Sequence, residues 1–148
     1  MKRSVRIALL AFIGMLLTGS IIAGFIPAGE MNAQAFLHQL QAESFVYDHV
    51  LKDPFSSFLL SPSVWDVHIG DETLFLHEYH TPEAMEREAL TISREGTVIR
   101  RNNMTMHLSW ASSPFFFKDG RIIVLYVGEE AEILSFLFSV FGGPFAEA

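Results

Sequence analysis

The apolar and polar positions of this chain separate an N-terminal apolar run from a longer region of short periodic segments. Residues 7–26 contain no charged side chain. A helix of about 20 apolar residues is long enough to cross the hydrocarbon layer of a membrane. A buried core helix is the alternative, although core helices rarely run so far without a polar face. Residues 31–148 alternate between helix-like and strand-like spacing, which predicts a single folded domain.

Two pairs of strand-like segments around short turns predict β-hairpins. The first joins residues 64–69 to residues 72–79 through a two-residue turn. Its register would place four apolar side chains on the core side of the sheet, namely Trp65, Val67, Leu74 and Leu76. The second hairpin joins residues 115–118 to residues 121–127 around Asp119-Gly120. Its second strand is apolar nearly throughout, which is typical of a central strand covered on both faces or by a neighbouring subunit.

Helices and further strands surround these hairpins. Helix-like spacing covers residues 31–42 and 129–141, and a third helix begins at the N-cap Thr81 and ends by Gly96. Strand-like spacing covers three more segments: 44–51, 97–100 and 104–110. This order predicts an α+β fold, an antiparallel sheet with helices packed on one face, together with an N-terminal hydrophobic helix. Two αβββ units with a period of about fifty residues are a further interpretation of the same order.

The apolar run has the flanking residues of an export signal. Lys2, Arg3 and Arg6 precede it, and such a bias keeps the N-terminus in the cytoplasm, so the domain would face outward. The run is then either a retained transmembrane anchor or a cleaved signal peptide, with Ala-Gln-Ala at 33–35 as the small-x-small cleavage pattern. We therefore expect residues 1–30 to be a signal peptide or transmembrane anchor. The domain would be held at the outer face of the cell membrane, or secreted if cleaved.

Cysteine is absent from the chain, and this excludes several chemistries. Residues 17–20, Leu-Thr-Gly-Ser, resemble a bacterial lipobox, whose last residue must be a cysteine that carries diacylglycerol. Ser20 has no thiol, so this lipid attachment cannot form. Disulfides, thiolate nucleophiles, iron–sulfur clusters and cysteine-ligated zinc are excluded for the same reason.

Acidic residues dominate the region after the apolar run. From Glu30 onward it carries seventeen Asp and Glu residues against seven Lys and Arg residues, a net charge of about −10. Nucleic-acid binding draws its affinity from cationic side chains on phosphates, so this balance disfavours it. It also disfavours docking of the domain itself on anionic lipid headgroups.

Patterns for metal binding and catalysis are incomplete. His77 and His80 lie three residues apart on a predicted strand, where they would be surface residues pointing to opposite faces. Asp66 and His68 share a strand face, and such a pair could orient an imidazole as a general base. No nucleophile elbow and no glycine-rich phosphate loop occurs. The sequence therefore predicts no metal, cofactor or catalytic residue, with a small envelope hydrolase or lyase using Asp66 and His68 as the alternative.

The chain is rich in phenylalanine, with fourteen Phe among 148 residues. Strand alternation sends at least one of three consecutive Phe, at 115–117, to the face away from the core. An exposed aromatic patch marks a partner or ligand surface, so Trp110, Phe115 and Phe116 are candidate binding residues. The simpler alternative is that helices or a second copy of the chain cover them. A homodimer formed through the apolar strand at residues 122–127 is a separate interpretation.

A set of short motifs carries a resemblance to a known family. In chain order they are Glu78-Tyr79, Pro82-Glu83-Ala84, Glu88-Ala89, Ile92-Ser93 with Gly96, Trp110 with Pro114, Phe117 and Gly120, residues 123–128 and residues 143–146. With these motifs the chain resembles, from Phe45 onward, a family of small uncharacterised extracytoplasmic proteins of Gram-positive bacteria, many of which are lipoproteins. The resemblance implies a tethered domain outside the cell and brings no established activity. The chain departs from the family at Ser20, where the lipid-bearing cysteine would stand, and at Phe115, where members often have His.

These observations predict a non-enzymatic binding or interaction module at the cell envelope. Its expected partners are the membrane, through the N-terminal segment, and a protein or small molecule that the sequence does not identify. A homodimer is a further expectation, and no nucleic-acid partner is expected, because the acidic charge balance disfavours one.

Overall fold

The computed structural model describes residues 26–148. The predicted signal peptide or anchor, residues 1–30, lies almost entirely outside the described residues. Between residues 26 and 148, no helix combines the length and the apolar character needed to cross a bilayer. The predicted domain, residues 31–148, is described in full.

Three α-helices and eight β-strands form within residues 26–148. In chain order they are α1 (Ala33–Ala42), β1 (Asp48–Lys52), β2 (Ser63–Ile69), β3 (Glu72–Glu78), α2 (Pro82–Ala89), β4 (Val98–Arg101), β5 (Met104–His107), β6 (Pro114–Asp119), β7 (Ile122–Val127), α3 (Ala131–Phe141) and β8 (Ala146–Glu147). A 3₁₀ turn, Pro54–Ser56, lies between β1 and β2. The three predicted helices are present, but α2 ends before Gly96 because Ile92 already pairs with Ile99.

The helices begin and end at residues suited to those places. The Asn32 side chain accepts a hydrogen bond from the Ala35 N–H at 2.9 Å, which caps α1. Thr81 caps α2 as predicted, with its hydroxyl oxygen 3.1 Å from the Ala84 nitrogen. Gly142, at φ 78°, ends α3 in a backbone conformation that side chains disfavour.

Six strands form one antiparallel sheet in the order β1-β2-β3-β7-β6-β8, and β4 with β5 forms a separate two-stranded sheet. The first hairpin has the predicted register, with Ile69 opposite Glu72. In the second hairpin Asp119 pairs with Ile122, so its turn begins at Gly120, one position later than predicted. Glycine suits this position because φ is 55° there. The α+β class is confirmed.

Both faces of the central strand β7 are buried, because its apolar side chains alternate between the two faces of the sheet. On the face that we call the α1/α3 face, Ile122, Val124 and Tyr126 pack against α1 and α3. On the opposite face, the α2 face, Ile123 and Leu125 pack against α2 and Ile99 of β4. The prediction of a central strand covered on both faces is confirmed.

The prediction that the helices pack on one face is wrong, because α2 lies on the face opposite to α1 and α3. The neighbouring residues Phe116 and Phe117 of β6 point to opposite faces, and both are fully buried. Each face therefore needs an apolar cover. Met85 and Ala89 of α2 supply it on the α2 face.

Two repeated αβββ units do not fit this topology. A twofold axis that exchanges β2 with β6 and β3 with β7 would run perpendicular to the sheet, and it would keep α1 and α2 on one face. They lie on opposite faces. In addition, the β4–β5 hairpin lies outside the main sheet, and β8 instead occupies the position beside β6.

The homodimer contact predicted at residues 122–127 is also wrong. This strand, β7, lies between β3 and β6 and pairs with both of them along its length. Its side chains from Ile122 to Tyr126 are at most 1% exposed within a single copy. No edge and no face of β7 is left for a second copy.

The chain before α1 crosses over the turn of the β6–β7 hairpin. The Gly29 N–H donates to Asp119 Oδ1 at 2.7 Å. The Arg121 N–H donates to the Met31 carbonyl oxygen at 2.8 Å. Gly120 lies beneath this crossing, and a Cβ there would come within 2.3 Å of the same carbonyl oxygen. Met31 is only 3% exposed, so the crossing cannot shift without disturbing the core.

Residues 33–35, predicted as a cleavage pattern, form the first turn of α1. The Ala33 N–H donates to Glu78 Oε1 at 3.1 Å, and the Ala33 side chain is buried. Cleavage after residue 35 would therefore remove a buried turn, the Asn32 cap and the crossing at Met31.

Gly120→Ala should destabilise the domain more than Gly70→Ala. Both glycines have positive φ, 55° and 60°, which costs an alanine about 1–2 kcal/mol. At Gly70 a Cβ meets open space, whereas at Gly120 it meets the Met31 backbone, which should add about 1–3 kcal/mol. Urea unfolding of both variants measures the difference. Equal losses of unfolding free energy in the two variants would show that the Met31 backbone moves away from the added Cβ without cost.

Candidate functional site

A cavity of about 310 Å³ opens on the α2 face of the sheet. Strand alternation brings side chains from β2, β3 and β7 into it: Val64, Asp66, Phe75, His77 and Leu125. Lys52 of β1, residues 56–58 and Trp110 line the remaining sides. Neither α2 nor the β4–β5 hairpin lines the cavity. The loop that contains residues 56–58 lies over this part of the sheet instead.

Aromatic rings form much of the cavity wall. Phe58 and Trp110 meet edge to face, with ring centroids 5.7 Å apart. The Trp110 indole N–H donates to the Gly96 carbonyl oxygen at 2.8 Å, which fixes the ring. Phe75 is half-buried although its strand is central, because its ring faces the cavity. This part of the wall is therefore apolar, and a hydrogen bond fixes Trp110 within it.

An ion pair lies at the rim of the cavity. Lys52 Nζ is 3.6 Å from Asp66 Oδ2. The Lys52 side chain is 43% exposed and that of Asp66 20% exposed, so water screens the pair and it stabilises the fold little. Both charges remain accessible to a polar group that enters the cavity.

His77 is a buried polar group in the apolar wall, with 2% of its surface exposed. Its Nδ1 lies 3.1 Å from the Ser61 hydroxyl oxygen. That hydroxyl has a single proton, which it donates to the Ser63 carbonyl oxygen at 3.2 Å. We therefore assign the proton of the imidazole to Nδ1, which leaves the lone pair on Nε2. In this arrangement His77 is no base for Ser61, because it donates to that serine.

A buried ion pair holds the loop that forms one cavity wall. Glu88 of α2 and Arg101 of β4 are bonded to each other within the interior. Arg101 also donates to the Phe58 carbonyl oxygen at 3.0 Å, and Glu88 accepts from the Leu60 N–H at 2.9 Å. Burial, and next the Glu88 carboxylate, raise the pKa of the neighbouring Tyr79, so its hydroxyl stays protonated. These bonds join α2, β4 and the loop into one unit.

Asp66 and His68, the pair considered for catalysis, share a face of β2 as predicted but bond to different partners. Asp66 lines the cavity and pairs with Lys52. His68 Nδ1 instead lies 3.0 Å from the Thr73 hydroxyl, outside the cavity. Residues 26–148 contain no cluster of three or more His, Asp or Glu side chains placed to hold a metal ion.

The three aromatic residues predicted to bind a partner have different environments. Trp110 lines the cavity. Phe116 is fully buried behind it, with ring centroids 6.1 Å apart, and belongs to the core of the α2 face. Phe115 packs against the core of the α1/α3 face and does not line the cavity. Their role in binding stays a prediction, and only Trp110 is placed to contact a molecule in the cavity.

Most of the cavity is not predicted by the sequence patterns. The prediction that His77 is a surface residue is wrong, because only 2% of its surface is exposed. Strand alternation carried a usable signal, since Phe75 and His77 share the face opposite to Leu74 and Leu76. Phe58 carried no such signal, because it lies in an irregular loop brought to the sheet by Arg101.

Comparison of the chain with protein-family models, with curated proteins and with solved structures found no match. A proposal about function therefore rests on the cavity and on the charged residues at its rim.

Acid should destabilise the domain through His77. Burial lowers its pKa from 6.5 to about 4, so below about pH 6.5 the unfolded chain takes up the proton first. The free energy of unfolding therefore does not depend on His77 titration above about pH 6.5. Between about pH 6.5 and pH 4 it falls progressively, by about 3 kcal/mol in total. Urea unfolding at pH 7 and pH 4.5 should show a smaller loss for His77→Gln than for the unaltered chain. Equal losses of unfolding free energy in the two chains would show that burial of His77 does not cause the acid destabilisation.

Proposed function

We propose that the domain binds a small, largely apolar molecule in the cavity on the α2 face, and that it works as a binding module rather than as an enzyme. The observation that carries this proposal is the wall of Phe58, Phe75 and Trp110 around a space of about 310 Å³. Binding sites for small molecules are concave and mostly apolar, with a few placed polar groups. The loop forming this wall is fixed by the Glu88–Arg101 pair, which lowers the entropic cost of binding.

The polar groups of the cavity indicate the chemistry of the ligand. Lys52 at the rim would attract a carboxylate, sulfonate or phosphate group. His77, with its lone pair on Nε2, would accept a hydrogen bond from a hydroxyl or N–H group. An aromatic or alicyclic molecule with one anionic group and one donor fits this set.

A fluorescent probe with these groups tests the proposal. 8-Anilinonaphthalene-1-sulfonate has aromatic rings, a sulfonate and one N–H donor. In a Trp65→Phe background, Trp110 is the remaining tryptophan, so its quenching reports occupation of the cavity. We expect saturable quenching by one probe per chain. Lys52→Gln should weaken binding by roughly fivefold, as for the loss of one exposed ion pair.

A filled cavity provides the matched control for that measurement. Ser57→Phe places a ring in the cavity and should weaken binding by about tenfold or more. Ser135→Phe adds the same side chain to the exposed face of α3 and should leave binding unchanged. If both variants bind the probe equally well, the cavity is not its site.

We infer that the apolar run, residues 7–26, holds this module at the outer face of the membrane as a retained anchor. The cationic residues before the run and the acidic domain after it support the outward orientation. Retention is favoured over cleavage at 33–35, because that segment is the first turn of α1 and carries the buried Ala33.

Cell fractionation tests the proposed location at the outer face of the membrane. The full chain, expressed in a Gram-positive host, should sediment with membranes, resist extraction by high salt and be degraded by protease added to protoplasts. A control with Leu10→Arg and Leu17→Arg places two charges in the apolar run and should lose membrane retention. A chain that stays soluble and protected from protease would contradict the proposed membrane location. That result would not bear on the proposal that the cavity binds a ligand.

A further inference from the structure

The strand β1 is an open edge of the six-stranded sheet. It pairs with β2 on one side only, and all five of its residues are exposed. Val50 is 50% exposed and Leu51 is 63% exposed, so the edge is apolar at its centre. An exposed edge of this kind offers unpaired N–H and C=O groups to another strand. No helix or loop among residues 26–148 pairs with this edge.

We propose that β1 pairs antiparallel with β1 of a second copy, about a twofold axis at Val50. This register places Val50 opposite the partner's Val50. Asp48 then lies opposite the partner's Lys52, and the same ion pair forms a second time across the axis. The two sheets would join into one twelve-stranded sheet.

The charges of β1 favour a second copy over an unrelated strand. Asp48 and Lys52 are placed symmetrically about Val50, so the strand is complementary to itself in the antiparallel direction. Parallel pairing in register would place like charges opposite each other, which is unfavourable. The strand carries one acidic and one basic residue, so its formal charge is zero, although the chain has a net charge of −7. Two copies can therefore approach along β1 with less repulsion than along most of the surface.

Apolar residues beyond both ends of the strand extend the contact. Val46 is 88% exposed and Phe55 is 95% exposed. Both flank β1 and would add apolar surface to the contact between copies. The contact then has an apolar side chain at its centre and an ion pair on each side.

This dimer would add a charge to the rim of the cavity. Lys52 lines the cavity and lies 3.6 Å from Asp66. In the dimer it would lie between Asp66 and the partner's Asp48. An anionic ligand that binds Lys52 would compete with both carboxylates, so dimer formation and ligand binding would be coupled. The pairing itself does not depend on the proposed ligand.

Cysteine cross-linking in the full-length chain tests the register, because the chain has no cysteine of its own. Directly opposed residues of antiparallel strands have Cα atoms about 4.5–5.5 Å apart, within disulfide reach. Val50→Cys should give disulfide-linked dimers under mild oxidation. Asp48→Cys mixed with Lys52→Cys should also cross-link. Asp48→Cys alone should not, since its two copies would be roughly 13 Å apart along the strands.

Leu90→Cys is the control for random collision, because Leu90 is 82% exposed and lies at the end of α2, away from β1. We expect it to stay uncrosslinked. Equal cross-linking at residues 50 and 90, or none at residue 50, would overturn the proposal. Cross-linking of Asp48→Cys alone would show parallel pairing and would overturn it as well.

Charge exchange provides a second test that needs no disulfide. Asp48→Lys and Lys52→Asp each place like charges opposite each other, and each should weaken self-association by roughly tenfold. A mixture of the two variants restores both ion pairs between unlike copies and should associate again. Sedimentation of the detergent-solubilised chain measures this. Two variants that associate as strongly alone as together would exclude the β1 pairing, whatever the outcome of probe binding.

Discussion

The burial of β7 on both faces is the constraint on which the rest of this fold depends. Its residues from Ile122 to Tyr126 have no polar position to present to water, so a two-layer arrangement would leave half of them exposed. The helices α1 and α3 cover one face, and α2 with the β4–β5 hairpin covers the other. The cavity arises because this second cover is incomplete beyond β3. There Phe58 and Trp110 replace a helix.

The hairpins and helix caps could be predicted from the sequence because they depend on neighbours in the chain. Ile69 and Glu72 pair across a short turn, and Thr81 caps a helix that begins at the next residue. The side of the sheet that α2 covers could not be predicted. The spacing of Met85 and Ala89 shows which side of the helix is buried, but both faces of the sheet offer an apolar partner. The β4–β5 hairpin did have a local sequence signal in Asn102. Asparagine tolerates the left-handed backbone conformation of tight turns, and Asn102 has a φ of 46° in this turn.

The cavity was harder to predict because its parts are brought together by contacts distant in sequence. Arg101 bonds to Phe58 across 43 positions, and His77 bonds to Ser61 across 16. No periodicity relates these residues. A buried imidazole is tolerated in the apolar wall because the Ser61 hydroxyl oxygen accepts a hydrogen bond from its Nδ1–H, which offsets the cost of removing the imidazole from water.

The crossing of the N-terminal segment over the β6–β7 turn has a mechanical consequence for a domain held by an anchor. Ile26, the last residue of the apolar run, packs against the core, and the chain is bonded again at Gly29. In the proposed anchored form this tether would have almost no slack, and the domain would not swing freely above the bilayer surface. Its copies would then move by diffusion within a plane, at nearly constant height and tilt. Confinement of this kind raises the effective concentration of one copy around another, so the five-residue contact along β1 would be more fully occupied in a membrane than between free molecules at the same overall amount.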